Sequence, residues 1–454
     1  METIVNPKQS INKIWGKQKV QESKVYRLMK YVLIVDHEDK RFLHNFVTGQ
    51  LVIINETEAQ AIDNLPSTYS PVMEQLVTEH YLVPVQFDEY KSVNQLRKIL
   101  QKVPSDNSIN HYVILPTTYC NAHCFYCYES DYPHVQMMEE TAKEIVEFID
   151  QHRKGKDITI NWFGGEPLVG IKRIDQISQG LKDRNISFTS SMISNGYLFD
   201  DVVVDKCINL WNLHRVQITL DGTENVYNRV KAYVNVHDNP FRRVIRNIDL
   251  LSSRSIQVNI RLNVDFYNID DIRELIEFLD KRYSDNKYVG VYLSTLFNDQ
   301  GFEPVSHTAD DRLDLADLIE ELENRLKQFQ LYSDSHGRLC LTVSHCMADN
   351  PHTILIQPDG SFCRCEHESI LDNYGNLKDG IINLNKPEKW KEPDEPSASC
   401  PECPIYPSCY HLKLCMNSDL PCIDKLQKGN IGRQKERILA LYIHKKEEKV
   451  DEGV

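Results

Sequence analysis

The chain has 454 residues, 41% of them apolar, a net charge of −14 at neutral pH and 13 cysteines. That length predicts two or three domains rather than one, and the acidic balance argues against a nucleic-acid binder. No run of about 18 apolar residues offers a membrane helix, and METIVNPKQSINKIWGKQKV lacks the apolar core of a signal peptide, so we expect no membrane partner and a cytoplasmic protein with reduced thiols.

Residues 1–24 are polar and read as a loosely ordered segment. Residues 25–108 read as a small β-then-α module and its connector. YVLIV and LVIIN are β-branched strands around the turn FVTGQ, Thr57 to Leu65 and Tyr69 to His80 are short helices, and LVPV closes as a strand. The polar connector that follows carries one helix at SVNQLRKIL. Between 109 and 330 strand and helix alternate. HYVILPTT, DITINWF, ISFTSSMI, RVQITLD, IQVNIRLNV and VGVYLSTL are the strands, and EETAKEIVEFIDQH and DIRELIEFLDKRY show apolar residues at helical spacing. Such β-α units predict a parallel sheet, open or closed into a partial barrel, with functional residues at the C-terminal strand ends. DRLDLADLIEELENRLKQF closes this region as a long helix. Residues 331–425 hold short segments, turns and cysteines with little apolar surface, the profile of a segment that folds around metal. Residues 426–454 read as a final helix and tail.

Apart from Cys207, the cysteines fall into two groups. In a reducing compartment this points to metal ligation or redox chemistry. CNAHCFYC sets Cys120, Cys124 and Cys127 on one loop just after the first barrel strand. Three thiolates around a [4Fe–4S] cubane leave one iron open for a substrate; a zinc site completed by His123 is the alternative. The second group runs C340-x5-C346-x13-G360-x4-C365, then C400-x2-C403-x5-C409-x5-C415-x6-C422, with Cys363 as a further thiol. A structural zinc site built on its CxxC is the alternative there.

CxxxCxxC after a first strand, with the aromatic Tyr126 before the third cysteine, resembles the radical S-adenosylmethionine (SAM) superfamily. The resemblance implies an α/β fold, a partial (β/α)6 TIM-type barrel, and a cluster whose open iron binds SAM with Tyr126 near the adenine. Gly164, Gly165 and Glu166 resemble the family's GGEP motif, which meets the SAM amino group. Ser194 and Asn195 resemble its SNG element, and Arg261 and Asn263 resemble residues for the SAM carboxylate and ribose. Asp221, in QITLDG, is then the candidate for taking a proton or touching substrate. The later cysteines resemble the SPASM extension, which implies two auxiliary [4Fe–4S] clusters, three clusters in all. Cys340, Cys346, Cys365 and Cys415 would hold the first, with Cys363 able to replace Cys365; Cys400, Cys403, Cys409 and Cys422 would hold the second. The spacing departs from the family, with five residues rather than three between Cys409 and Cys415, which leaves an open coordination site as an alternative.

The module at 25–108 resembles the winged-helix-like peptide-recognition domains of ribosomal-peptide maturases, in which a leader peptide adds a strand to a sheet edge. The expected function is therefore that of a maturase. A 5′-deoxyadenosyl radical abstracts hydrogen from a precursor peptide, leading to a thioether, carbon–carbon or carbon–oxygen cross-link, with electrons from a flavodoxin or ferredoxin. The alternatives are a formylglycine-generating sulfatase maturase and a non-enzymatic iron–sulfur electron carrier.

Overall fold

The computed structural model describes residues 1–102, 108–153, 155, 157–234, 236, 238–296, 309–333, 339–344, 346–383, 399–409 and 424–451. The chain forms two compact units, one drawn from 1–104, 336–345 and 393–454, the other from 105–335 and 346–392.

The first unit begins with β1 (Glu2–Val5), α1 (Gln9–Trp15) and β2 (Val25–Leu28). The hairpin strands β3 (Val32–His37) and β4 (Lys40–Asn45) follow, then β5 (Leu51–Ile54) and α2 (Glu56–Asp63). β6 (Ser67–Thr68), α3 (Glu74–Thr78), β7 (Leu82–Pro84) and α4 (Glu89–Lys102) complete the N-terminal part. One antiparallel sheet has the order β1-β5-β4-β3 and a smaller one the order β6-β2-β7. Local chemistry explains the breaks. Glu38 takes a left-handed φ of 53° between β3 and β4, and Asn55 with Glu58 forms a capping box that starts α2. The result is a winged-helix-like α+β unit, to which the C-terminal helix Asp424–Asp451 belongs. Residues 1–24 differ from the expectation of a loose segment. Ile11 is buried in this unit's core, with Ile4, Val5, Trp15 and Val20 among the apolar side chains packed against it, and these order a stretch whose composition is polar.

In the second unit, β8 (His111–Ile114), α5 (Glu139–His152), β9 (Asp157–Trp162), α6 (Ile171–Asp183) and β10 (Ser187–Ser194) alternate as expected. α7 (Asp201–Asn209), β11 (Leu213–Leu220), α8 (Glu224–Lys231), α9 (Pro240–Ser253) and β12 (Gln257–Val264) continue the pattern. α10 (Ile269–Tyr283), β13 (Val289–Thr295) and α11 (Ala309–Gln328) close it. The six strands β8 to β13 pair in chain order, each parallel to the next, and β8 does not pair with β13, which makes a partial barrel. Alternation along the strands sorts its two faces. On β12, Val258, Ile260 and Leu262 are buried, whereas Asn259 and Arg261 are half-exposed. Each buried aliphatic contributes about 1.5–3 kcal/mol. The opposite face is polar: Tyr292 Oη donates to Gln217 Oε1 at 2.7 Å and Ser191 Oγ to Asn161 Oδ1 at 3.2 Å.

β14 (Thr353–Ile356) extends the sheet beside β8, followed by β15 (Ser361–Cys363), β16 (Gly375–Asn376) and β17 (Gly380–Ile381). The cysteine-rich stretch expected as one domain over 331–425 is therefore divided. Residues 331–335 and 346–392 belong with the barrel, and 336–345 and 393–425 with the first unit; parallel pairing of Thr353 to Ile356 with His111 to Ile114 ties the middle part to the sheet.

Candidate active site

Parallel strands bring the ends of β8 to β12 to one side of the sheet, and the sequence motifs lie there. Past β8, the chain is clasped at the base of the cysteine loop. Thr118 N–H donates to Val135 O at 3.0 Å, Val135 N–H to Thr118 Oγ1 at 2.7 Å and Met137 N–H to Pro116 O at 3.1 Å. The far side is pinned by the end of α8, where His123 N–H donates to Lys231 O at 2.9 Å and Val234 N–H to Asn121 O at 3.0 Å. Inside, Cys127 N–H donates to Cys124 O at 3.1 Å and Ala122 N–H to Cys120 Sγ at 3.4 Å. Burial, above all, raises the thiols of Cys120 to about 12 and Cys127 to about 11, and moves Cys124 upward too. Among the described residues no three His, Cys, Asp or Glu side chains are gathered as a site for a single metal ion. Three soft donors on one loop, one already receiving an N–H, suit an iron–sulfur cluster, whose positive irons would supply the charge that converts buried thiols to thiolates.

The two glycines after β9 serve the loop itself. A Cβ on Gly164, which has φ 122°, would lie 2.2 Å from Thr117 O, and one on Gly165 would lie 2.5 Å from Thr118 O. Only glycine allows this approach of two backbones. Glu166 is wholly buried; its carboxylate accepts from Ser194 Oγ at 3.0 and 3.1 Å, Asn195 N–H at 2.8 Å and Leu168 N–H at 3.1 Å. Burial raises its pKa to about 7 against the pull of those hydrogen bonds. Asn195 Nδ2 in turn donates to Asn121 Oδ1 at 2.7 Å and approaches Cys120 Sγ at 3.9 Å. The ends of β9 and β10 are thus joined to the cysteine loop.

The end of β11 carries a second network. Asp221 is fully buried, and its Oδ1 accepts from Tyr126 Oη and Asn263 Nδ2, each at 2.8 Å. Lys231 Nζ lies 2.9 Å from Asp221 Oδ2 as an ion pair and donates to Tyr126 Oη at 2.9 Å. Arg261 Nε donates to Asn263 Oδ1 at 2.9 Å. Burial, the largest single influence, works against the Lys231 ammonium, but Asp221, Cys124, Tyr126 and Tyr227 together outweigh it and hold its pKa well above the ordinary value. In this arrangement Asp221 anchors Tyr126 and Asn263 rather than standing free at a barrel mouth. Lys231 was missed in the sequence, where a lysine ending a helix reads as a solvated charge; its signal is the spacing of Tyr227 and Lys231 on one face of α8. A separate cleft of about 550 Å³, lined by Gln257, Asn286 and Tyr332, opens at the opposite strand ends and contains none of these groups.

Of the later cysteines, Cys346 Sγ accepts from Ala348 N–H at 3.3 Å and Cys365 Sγ from His367 N–H at 3.4 Å. Cys363, fully buried on β15, donates its thiol to Ser369 O at 3.4 Å and accepts from Gln357 Nε2 at 3.7 Å. In the first unit, Cys340 lies against Gly49, and Cys403 N–H donates to Cys400 O at 3.1 Å. Cys409 N–H donates to Tyr406 O at 3.3 Å. Cys415 and Cys422 lie outside the described residues. Cys207 is buried among the apolar side chains of the barrel core.

With this geometry in place, residues 114–279 match the model of the Radical SAM superfamily. The central part of the chain, over residues 114–279, is thus a radical SAM domain, and a cysteine-rich C-terminal region follows it.

Among curated relatives, the radical SAM cyclopropyl synthase TigE of Paramaledivibacter caminithermalis is 20% identical over 299 residues, 57% of this chain and 62% of TigE. Among solved structures, native anSMEcpe with bound AdoMet and Cp18Cys peptide superposes with a TM-score of 0.56 at 16% identity, covering 74% of this chain and 99% of anSMEcpe. Streptococcus suis SuiB bound to its precursor peptide SuiA superposes with a TM-score of 0.52 at 12% identity, covering 87% of this chain and 95% of SuiB. No helix among the described residues is long and apolar enough to cross a membrane.

Proposed function

We propose that this chain is a maturase that installs an intramolecular cross-link in a ribosomally made precursor peptide. The reading is carried by one combination: a cysteine loop joined to the Glu166 and Asp221 networks at the barrel's strand ends, preceded in the same chain by a winged-helix-like module. The greater span of the SuiB superposition, 87% of this chain against 74% for anSMEcpe, supports it.

Cys120, Cys124 and Cys127 hold a [4Fe–4S] cluster in this reading, and with SAM it supplies a one-electron cleavage that yields a hydrogen-abstracting 5′-deoxyadenosyl radical. Gly164 and Gly165 shape the loop, and Glu166, Ser194 and Asn195 fix its floor and would meet the SAM amino group. Tyr126, its hydroxyl held by Asp221 and Lys231, would contact the adenine. Arg261 and Asn263 present donors to the carboxylate and ribose. Cys340, Cys346, Cys365 and Cys415, and Cys400, Cys403, Cys409 and Cys422, hold two auxiliary clusters. When bound, these clusters would accept the electron released as the bond closes after hydrogen abstraction, while a flavodoxin or ferredoxin would supply the separate electron that cleaves SAM. Formylglycine formation in a sulfatase is the second reading, favoured by the anSMEcpe likeness.

The test is an anaerobic assay of the reconstituted chain with SAM, reductant and any short peptide encoded beside its gene, followed by mass spectrometry. Loss of two hydrogens from the peptide in step with 5′-deoxyadenosine supports the proposal. Conversion of a sulfatase-motif Cys or Ser to formylglycine, with the short peptide unchanged, replaces it with the second reading.

A further inference from the structure

Two loops that each carry a cysteine meet inside the second unit. One leaves Cys127, turning through Ser130 N–H to Cys127 O at 3.2 Å and Tyr132 N–H to Glu129 O at 3.0 Å. The other follows β15, where Arg364 N–H donates to Glu368 Oε2 at 2.7 Å and His367 N–H to Cys365 Sγ at 3.4 Å. Aromatic contact joins them. Tyr128 packs on His367 with ring centroids 4.1 Å apart, and Tyr132 Oη donates to His367 O at 2.5 Å.

This contact sets Glu129 and Glu366, the chain neighbours of the paired rings, on facing loops. Glu129 is 8% exposed, and its Oε1 is enclosed with no hydrogen-bond partner. Tyr128 Oη, close enough to feel both carboxyls, is enclosed without a partner as well. Burial, and after it the charge of Glu366, raises the Glu129 carboxyl, so the two acids repel. Glu366 Oε2 accepts from the Cys365 thiol at 3.7 Å, a bond that a thiolate, having no proton, does not offer. Acids so enclosed and so poorly supplied with donors call for a cation. Arg261 acts on His367 too, but its Nε donates to Asn263 Oδ1 at 2.9 Å, and the maturase reading gives its charge to SAM.

We propose that Glu129 and Glu366, with Tyr128 Oη, form a subsite for a cationic side chain, Arg or Lys, of the peptide under modification. The inference rests on the maturase reading and adds a class of residue that the substrate carries where it passes between the two cysteine loops. An ammonium or guanidinium brings several N–H donors to oxygens that otherwise stay unpaired, and its charge offsets both acids. A neutral side chain of the same shape leaves them as they are, so the site discriminates by charge.

The test uses the full chain, anaerobically reconstituted and saturated with SAM. The probes are an acetylated, amidated pentapeptide of alanines around one central arginine, and its citrulline counterpart, which keeps the shape without the charge. Calorimetry gives their affinities for the unaltered chain, Glu129→Gln, Glu366→Gln and the double variant. We expect the arginine peptide to bind about tenfold more tightly than the citrulline one. Each single substitution should remove part of that preference and the double variant all of it. Equal binding, no binding, or a preference that the double variant keeps overturns the proposal. Should a variant lose iron or fold poorly, hydrogen exchange of the unaltered chain decides. Protection of 127–132 and 364–368 by the arginine peptide alone supports the subsite, and equal or absent protection overturns it. Cross-linking of a peptide in the mass assay alongside equal probe binding leaves the maturase reading standing without this subsite. Selection of the arginine probe with no peptide modified separates the two the other way.

Discussion

Cys120, Cys124 and Cys127 lie on a loop whose backbone the protein fixes at its base through Thr118 and Val135 and at its far side through His123 and Lys231. Cys400, Cys403 and Cys409 lie on two short turns held in the first unit by Lys30 on Glu402, by Thr342 N–H on Pro407 O and by Tyr406. Tyr406 Oη accepts from Arg97 Nη1 at 3.1 Å and donates to Asn94 Oδ1 at 2.7 Å, with the guanidinium over its ring. The first loop is thus a formed site to which a cluster adds chemistry. The later cysteines lie on short turns without a strand-end clasp of that kind, and in the proposed reading metal binding there would be part of folding. The difference teaches where loss of a ligand should cost activity alone and where it should cost structure.

The largest effect expected is from Cys124→Ala. It should abolish SAM cleavage while hydrogen exchange of 115–137 stays as protected as before; loss of that protection would mean that the cluster, not the clasp, holds the loop. Cys403→Ala, in contrast, should expose 399–409.

Lys231→Met comes next. It leaves Asp221 buried without its counter-charge, and breaking a buried pair from one side costs about 3–5 kcal/mol. Urea unfolding followed by hydrogen exchange of β11 reads this, and Lys231→Arg should recover part of it. A loss below about 1 kcal/mol, the range of exposed pairs, would show that the network does not brace the loop.

In the first unit, His44 is buried with Nε2 donating to Leu339 O at 2.7 Å, beside Cys340, and burial lowers its pKa to about 4. The folded state keeps the ring neutral while the unfolded chain takes a proton near its ordinary value of 6.5. The contribution is therefore complete above about 6.5 and lost as pH falls toward 4, amounting to on the order of 3 kcal/mol. Exchange of residues 33–52 in urea should show the decline across that window, and a flat profile would contradict it.

The smallest effect separates two neighbouring thiols. Cys363→Ala should cost about 1–2 kcal/mol through a small cavity and two weak hydrogen bonds and leave bound iron unchanged, whereas Cys365→Ala should lower it. Iron analysis of the two variants decides.

Much of this was legible in the residues. The six barrel strands, the long α11 helix, and the motifs at Cys120, Gly164, Ser194, Asp221 and Arg261 all stand where hydrophobic period and turn chemistry put them. What was hidden depends on tertiary contact. Lys231 looks like an ordinary helix-end charge until α8 is laid against Tyr126. Asp221 reads as an open acid until its partners close over it. Cys363 and Cys365 share the parity that faces the same side of a strand, and only the end of β15 at Cys363 separates core thiol from loop thiol. The strand at Glu2–Val5 was masked by polar composition, since pairing to β5 supplies what its own side chains do not.

The central claim is that the loop of Cys120, Cys124 and Cys127 makes this chain a SAM-cleaving enzyme. The most direct measurement is 5′-deoxyadenosine formed by the anaerobically reconstituted chain with SAM and a strong one-electron reductant. Repeated turnover that disappears in Cys124→Ala is the predicted result. Tight SAM binding without 5′-deoxyadenosine, or equal yields from both chains, would contradict it.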